Sequence, residues 1–245
     1  MADNILFAGQ AQAADVVVRF KREELPVADP KFKQRVDLAW DKLQDEAKNK
    51  KALLWDALLY RLDDFHQHSE GLELDVSLVS YRFAKTARTL PDLAELPSTA
   101  WPQSIFTCGL IQTSDNFFVF GKRGATVSRN SIDMIGGALS FTETRLTSGT
   151  ELFQAIGQEI KEETGVMDND ISELFLKAVF FVPESYKYGF LFSVQLTMNA
   201  TSVKERFDQL SEKEEMSELI FVSGSELKKT LLELGGYKPI LAELV

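Results

Sequence analysis

Apolar and polar positions alternate through DVVVRF, LELDVSLV and ELIFVS, and apolar residues run almost unbroken through SIFTCGLIQT, NFFVFGK, AVFFVPES and YGFLFSVQLTM. The first pattern predicts half-exposed β-strands and the second predicts strands covered on both faces. LLWDALLYRL reads as a further strand and IDMIGG as a short one, and Ser114-Asp115 reads as the turn of a hairpin. A longer period appears over residues 31–49, where Val36, Ala39, Trp40 and Leu43 share one helical face, and again at Leu152, Phe153, Ile156 and Ile160. Residues 202–211 predict another helix, and Ser223 with Glu226 reads as a capping box in front of a last one. Prolines 91, 97 and 102 mark residues 90–103 as a connector, which divides the chain into an N-terminal α+β unit, residues 1–98, and a second unit, residues 99–245. Strands flanked by helices in this order predict an α+β fold, an α/β/α sandwich with a mixed sheet between helices.

Composition narrows the function. The formal charge of −10 over 245 residues removes the broad attraction to nucleic acid or anionic lipid that a basic chain would have. Nucleic acid and membrane are therefore not expected as partners. No run approaches 18 apolar residues and the N-terminal stretch lacks a basic region leading into an apolar one, so the expectation is a soluble, cytoplasmic protein. The one cysteine, Cys108, lies inside SIFTCGLI, where it reads as a small buried hydrophobe rather than a nucleophile.

Candidate chemistry is concentrated in residues 136–166, GGALSFTETRLTSGTELFQAIGQEIKEETGV. Ser148 and Glu151 form an S-x-x-E capping box at the start of a helix, and Gly165 is placed to end it in the left-handed conformation. The apolar face of that helix points Glu159, Glu162 and Glu163 elsewhere. These glutamates lie at i, i+3 and i+4, and like charges at that spacing repel by roughly 0.2–0.5 kcal/mol per pair, which invites a cation. Mg²⁺ or Mn²⁺ suits them, since hard divalent ions take oxygen ligands and Mg²⁺ commonly shares its remaining sites with water and substrate phosphate. The competing reading is a solvated acidic face.

The double glycine Gly136-Gly137 followed by QEIKEETGV resembles the Nudix box, G-x5-E-x7-R-E-U-x-E-E-x-G-U, with U a bulky aliphatic residue. Gly137 takes the first glycine, Glu159 the glutamate of R-E, Glu162 and Glu163 the E-E pair, and Gly165 with Val166 the closing G-U. Gln158 stands where the family has arginine, so only hydrogen bonding can orient the glutamate that the arginine would pair with. The spacing from Gly137 to that position is seven residues longer than the pattern. Counting from the left puts the isolated glutamate at Glu143, whereas counting from the right puts Thr150 there. The glutamine, the upstream ELF and the enlarged loop are similar to the atypical Nudix hydrolases of animals that cleave UDP-glucose and UDP-galactose. Residues 53–64, LLWDALLYRLDD, and 72–82, LELDVSLVSYR, resemble the W-D-x3-[FY]-R-L and T-S-Y-R elements of that group. The likeness covers residues 50–230, most closely in the helix.

The resemblance implies a Nudix fold and a Mg²⁺-dependent diphosphatase that converts a UDP-sugar to UMP and a sugar 1-phosphate. Glu159 and Glu163 would be metal ligands and catalytic residues, Glu162 would hold a second ion or a metal water, and the Gly137 carbonyl would supply another oxygen. Glu184, in VPESYKYG, is the candidate general base from outside the helix. Arg123 is the candidate for substrate phosphate, ahead of Lys122, Arg129 and Arg145, because it ends a strand that points toward the site in the resembled fold. A Nudix hydrolase for ADP-ribose or another nucleoside diphosphate derivative, and a fold-alike that binds nucleotides without cleaving them, are the alternatives. His66 and His68 lie in a polar stretch, FHQHSEG, read as a loop with no metal role. Tyr186, Tyr188 and Phe190 alternate in a manner that fits sheet packing more than base stacking. The expected partner is a small nucleotide-sugar, and the oligomeric state is left open.

Overall fold

The computed structural model describes residues 4–23, 29–49, 54, 56–124, 131–141, 145–211 and 215–245. Ten described strands share one sheet: β1 (Ile5–Ala11), β2 (Val16–Arg22), β3 (Leu58–His68), β4 (Gly71–Ser80), β5 (Ser104–Gln112), β6 (Phe117–Arg123), β7 (Ile132–Met134), β8 (Ile171–Val182), β9 (Lys187–Leu196) and β10 (Met216–Ser223). The described helices are α1 (Pro30–Asn49), α2 (Tyr81–Thr86), α3 (Gly149–Thr164), α4 (Ala200–Asp208), α5 (Leu227–Leu234) and α6 (Lys238–Leu241).

The main path of the sheet runs β1-β8-β9-β5-β3-β4-β2, and β6 branches from β5 to pair with β10 and β7. It is mixed, because β5 with β9 and β2 with β4 are parallel while the other pairs are antiparallel. Helices cover both faces, as the pattern predicts. Along β9, Phe190 and Phe192 point to one side, where α3 and α4 bury Leu152, Ile156, Ile160, Val203 and Phe207. Leu191 points to the other, where α5 and α6 bury Leu231, Ile240 and Leu241 against Phe120 and Phe180. On that same side α1 and α2 pack Phe32, Val36 and Phe83 over Leu59 of β3 and Val79 of β4. Each such side chain contributes roughly 1.5–3 kcal/mol by leaving water, so three apolar clusters fix the layers.

The strands on either side of residue 98 belong to this one sheet. β1 pairs with β8, and β3 meets β5 at Arg61 and Ser104. Between β3 and β5 the chain at residues 135–141 is wedged as an irregular strand, with Thr107 N–H donating to Gly137 O at 2.9 Å and Tyr60 N–H donating to Leu139 O at 2.8 Å. This wedge carries the double glycine into the centre of the sheet.

Five features differ from the pattern-based expectation. β1 is not announced by its alternation, since ILFAGQA buries only Phe7 and Ala11, and its pairing with β8 makes it a strand. His66 and His68 are in β3 rather than a loop, because the hairpin with β4 stays paired out to His68 and Gly71. Ser80 ends β4 and then caps the short α2, accepting Phe83 N–H at 3.2 Å. Ser223 does not cap a helix: its hydroxyl bonds the Glu226 carboxylate at 3.1 Å, and α5 begins beyond Glu226 without a side-chain cap. The N-terminal half of LLWDALLYRL also differs, since β3 starts at Leu58 and residues 51–53 and 55 lie outside the described residues.

Candidate active site

The acidic helix has the ends its sequence predicts. Ser148 N–H donates to Glu151 Oε2 at 2.7 Å, Thr150 N–H donates to Ser148 Oγ at 3.2 Å, and Gly165 closes the helix at φ 76° with its N–H on Lys161 O at 2.9 Å. Leu152, Ile156 and Ile160 are fully buried. That anchoring turns the three glutamates into three different environments. Glu162 is exposed, and its Oε1 accepts a hydrogen bond from Gln158 Nε2, so the glutamine does what hydrogen bonding can in place of the arginine. Glu163 is 5% exposed and its Oε2 accepts the Gly136 N–H at 2.9 Å. Glu159 is half-buried and lies over Gly137, so closely that a Cβ there would come within 2.8 Å of its Cδ.

Both buried carboxyls are held above the ordinary carboxylate range. Glu159 is pushed up to about 7 by burial first, then by Glu215 and Glu162, against the opposing pull of Arg123. Burial pushes Glu163 up to about 8, although the Gly136 N–H and Arg123 favour its charged form. Arg123, at the end of β6, stands among three acids: Glu215 Oε2 at 3.2 Å, Asp133 Oδ2 at 3.6 Å and Glu163 Oε1 at 3.9 Å. Asp133 in turn takes Lys238 Nζ at 2.9 Å and the Tyr237 hydroxyl at 3.0 Å. At 3.9 Å Arg123 pairs with Glu163 without a hydrogen bond, and Glu163 Oε1 remains a buried oxygen with no donor.

The structure thus brings Glu159, Glu163, Gly137 and Arg123 together, with Glu162 on the rim. It does not bring Glu184 among them. Glu184 is exposed on the Pro183–Ser185 turn, and the outside carboxylate that acts on both glutamates is Glu215. Glu215 and Asp133 are the residues that the sequence reading passed over. Lys122 pairs with Glu218 at 3.6 Å, and Arg145 pairs with Glu23 and lies over the Phe20 ring at 5.1 Å. Glu143 and Arg129 lie outside the described residues. Cys108 is 1% exposed, and burial pushes its thiol far up, as suits a core position. His66 sits 3.2 Å from Asp64 and His68 3.9 Å from Glu73, each an ordinary surface ion pair when protonated.

A divalent cation can be tested against these atoms. Among the described residues no three acidic, histidine or cysteine side chains close into a ready-made metal cage. What is present is a pair of carboxylates one helical turn apart, one of them with an unpartnered buried oxygen, and a Gly137 carbonyl that keeps a second lone pair after accepting Thr107 N–H. An all-oxygen set with two carboxylates fits Mg²⁺ or Mn²⁺ that completes its shell with water and substrate phosphate. A groove of about 600 Å³ opens elsewhere, along Thr150, Gln154, Lys161 and Glu173 on the outer side of α3. Among the described residues no helix is long and apolar enough to cross a membrane.

No family model and no curated protein matches the chain. Solved structures similar to it include the DR0079 protein of Deinococcus radiodurans, with 16% identity over 58% of this chain and 80% of that chain and a TM-score of 0.40. A bifunctional NMN adenylyltransferase/ADP ribose pyrophosphatase of Francisella tularensis, solved with AMP and a Mn ion, has 17% identity over 58% of this chain and 42% of that chain at a TM-score of 0.40. An Ap4A hydrolase of C. elegans has 11% identity over 58% of this chain and 91% of that chain at a TM-score of 0.38. Likenesses at this level do not extend to chemistry, which has to come from the site itself.

Proposed function

We propose that this chain is a metal-dependent Nudix-type diphosphatase acting on a nucleoside diphosphate sugar, with UDP-glucose or UDP-galactose cleaved to UMP and a sugar 1-phosphate. The observation that carries the reading is the convergence of Glu159 and Glu163 on the double glycine, with a buried Glu163 oxygen left without a donor. Two carboxyls that burial and neighbouring glutamates hold above their ordinary range are a site short of positive charge. Mg²⁺ held by these two residues would neutralise phosphoryl oxygens and lower the pKa of a water.

The chain's own residues do the rest. Gly136 fixes Glu163 through its N–H, Gly137 leaves the space in which the Glu159 carboxylate sits, and Gln158 steadies Glu162 at the rim. In the reaction a water oxygen bonds to one phosphorus, the bond from that phosphorus to the bridging oxygen breaks, and the departing phosphate keeps the electron pair. The water proton passes to a carboxylate. Glu215 is exposed, as Glu184 is, but it pairs with Arg123 at 3.2 Å and its charge acts on both Glu159 and Glu163, which makes it the better candidate for that task. Arg123 keeps the acids in register and lowers Glu163 toward its charged form.

The UDP-sugar assignment rests on the resemblance of the N-terminal elements, and the described residues of those elements have structural work. Arg61 is 1% exposed, pairs with Asp63, and donates to Trp101 O, Thr99 O and Gln103 Oε1, each at 2.9 Å, tying the connector to β3. Ser80 caps α2, and Arg82 reaches Asp37 and Asp56 at 3.5 Å. Their described contacts hold the connector and α2 against β3 and β4, so the substrate reading stands on the resemblance alone. Binding of nucleotide without cleavage is a second reading, favoured by the lack of a third described metal ligand. The test is a screen of UDP-glucose, UDP-galactose, ADP-glucose, ADP-ribose and dinucleoside polyphosphates with Mg²⁺ and with chelator, reading released phosphomonoester. Mg²⁺-dependent UMP release supports the proposal, binding without turnover supports the second reading, and preferred cleavage of ADP-ribose replaces the substrate while leaving the diphosphatase assignment in place.

A further inference from the structure

Three cations lie near one another on the α2 side of the sheet, and among the described residues none of their side chains has an ion-pair partner. Lys187 opens β9 and projects on the same face as Leu191, the face that carries Phe106, Phe180 and Tyr237. α2 and the turn after it, Ala87–Thr89, place Lys85 and Arg88 three residues apart, so their side chains rise on one side. The two elements meet through Tyr186, whose left-handed backbone at φ 50° turns the chain into β9 and whose ring packs in the cluster of Tyr81, Phe83 and Ala87, 5.0 Å edge-on to Trp101. Among the described residues the side chains of Lys85, Arg88 and Lys187 make no ion pair or hydrogen bond, in a chain with ten more acidic than basic side chains.

The neighbourhood is electrostatically specific. Lys187 is lowered to about 8 by burial first, then by Arg88 and Lys85, while Asp133 alone opposes them. Arg88 and Lys85 are themselves lowered by burial, and Lys85 also by Arg88. Asp133 is the acid that holds Arg123, Lys238 and Tyr237. Asp133 thus acts both on Lys187 and on Arg123, the arginine that pairs with Glu163. Long cationic stems over apolar surface normally carry their heads out to water. Here the three charges act on one another at a cost that, among the described residues, Asp133 alone opposes, and a group with two negative charges and several acceptor oxygens would offset it.

We propose that Lys187, Lys85 and Arg88 form a subsite for a phosphate group, and that in the diphosphatase reading, on which this inference rests, it receives the phosphate of the substrate that the metal does not hold. Two sources share this chemistry, a substrate phosphate and free inorganic phosphate.

The test uses the full chain without metal and follows binding of inorganic pyrophosphate and of inorganic phosphate by calorimetry, for the wild type and for Lys187→Met, Arg88→Ala, Arg88→Lys and Lys229→Ala. Circular dichroism of each variant confirms the fold. Loss of a charged hydrogen bond predicts about tenfold weaker binding for Lys187→Met and Arg88→Ala, partial retention for Arg88→Lys, and no change for Lys229→Ala, which lies on the exposed α5 surface paired with Glu233. With Mg²⁺ and UDP-glucose the same two variants should raise KM more than they lower kcat. Weakened phosphate binding with an unchanged KM overturns the substrate role and assigns the subsite to free phosphate. Wild-type affinity and KM in all variants overturn the subsite itself. Lys187-dependent pyrophosphate binding in a chain that cleaves nothing supports the subsite and removes the diphosphatase reading.

Discussion

The Glu159 carboxylate occupies the space that a side chain on Gly137 would need, while the preceding Gly136 is pressed against backbone, where a Cβ would lie 2.9 Å from Cys108 Cα. The two glycines are thus required for different reasons. At Gly136 the backbone is also at φ 140°, so any substitution strains the wedge between β3 and β5. At Gly137 the obstacle is the far end of a flexible side chain, which can swing away.

Gly137→Ala should therefore fold with little loss of stability yet displace Glu159, and Mg²⁺-dependent turnover should fall by roughly 10–100-fold, the scale of a disturbed metal site. Gly136→Ala should instead lower Tm. Thermal melts beside kcat separate the two, and a Gly137→Ala protein with normal turnover would remove Glu159 from the metal.

Glu159→Gln and Glu163→Gln should each reduce kcat on the order of 100-fold or more with the fold intact, and Glu162→Gln should be milder because Glu162 is exposed on the rim. Gln158→Arg exchanges the hydrogen bond to Glu162 for an exposed ion pair worth about 0.5 kcal/mol. The expected change in kcat/KM is under about tenfold, and loss of activity would give the glutamine a role of its own. Steady-state kinetics at saturating Mg²⁺ read all four.

Glu159 and Glu163 also set a pH dependence for the metal-free protein. Their folded values, about 7 and about 8, lie above the ordinary 4.5, so between those limits the folded chain holds protons that the unfolded chain has released. Stability without metal should fall as pH rises through that window. A cation binds the deprotonated pair, so the rise in Tm on adding Mg²⁺ should be larger near pH 9 than near pH 6. Equal shifts at the two pH values would mean that Mg²⁺ binds elsewhere.

What the sequence discloses here is what short-range physics decides. The capping box at Ser148, the left-handed Gly165 and the buried stripe of α3 each involve residues within four positions of one another, so their spacing suffices. β1 escapes because its partner, β8, lies more than 160 residues away and its own pattern buries only two side chains. Glu215 ends an acidic run, EKEE, with nothing local to separate it from a solvated face, and only the pairing of β10 with β6 carries it to Arg123. Asp133 did leave a signal, a charge inside the short strand IDM. Its meaning required Tyr237 and Lys238, which arrive from the C-terminal helices.

Lys187 gives a pH effect of the opposite sign. Its folded value is about 8 and its ordinary value 10.5, so between these the unfolded chain holds a proton that the folded chain has shed, and stability rises with pH across the window. Below about 8 the folded protein carries the full cost of an ammonium beside Arg88 and Lys85, eased only by Asp133. Lys187→Met removes that charge and keeps the stem. At neutral pH, without ligand, it should raise Tm by a few degrees, since about 1 kcal/mol is roughly 2–4 °C in a chain of this length. The gain should shrink toward zero as pH approaches 10.5, and saturating pyrophosphate should reverse it at neutral pH by stabilising the wild type alone. Comparing variant with wild type at each pH cancels the alkaline titration of the other lysines and tyrosines. A Lys187→Met protein less stable than wild type at neutral pH would mean that the ammonium already has a partner, and the phosphate subsite would lose its reason to exist.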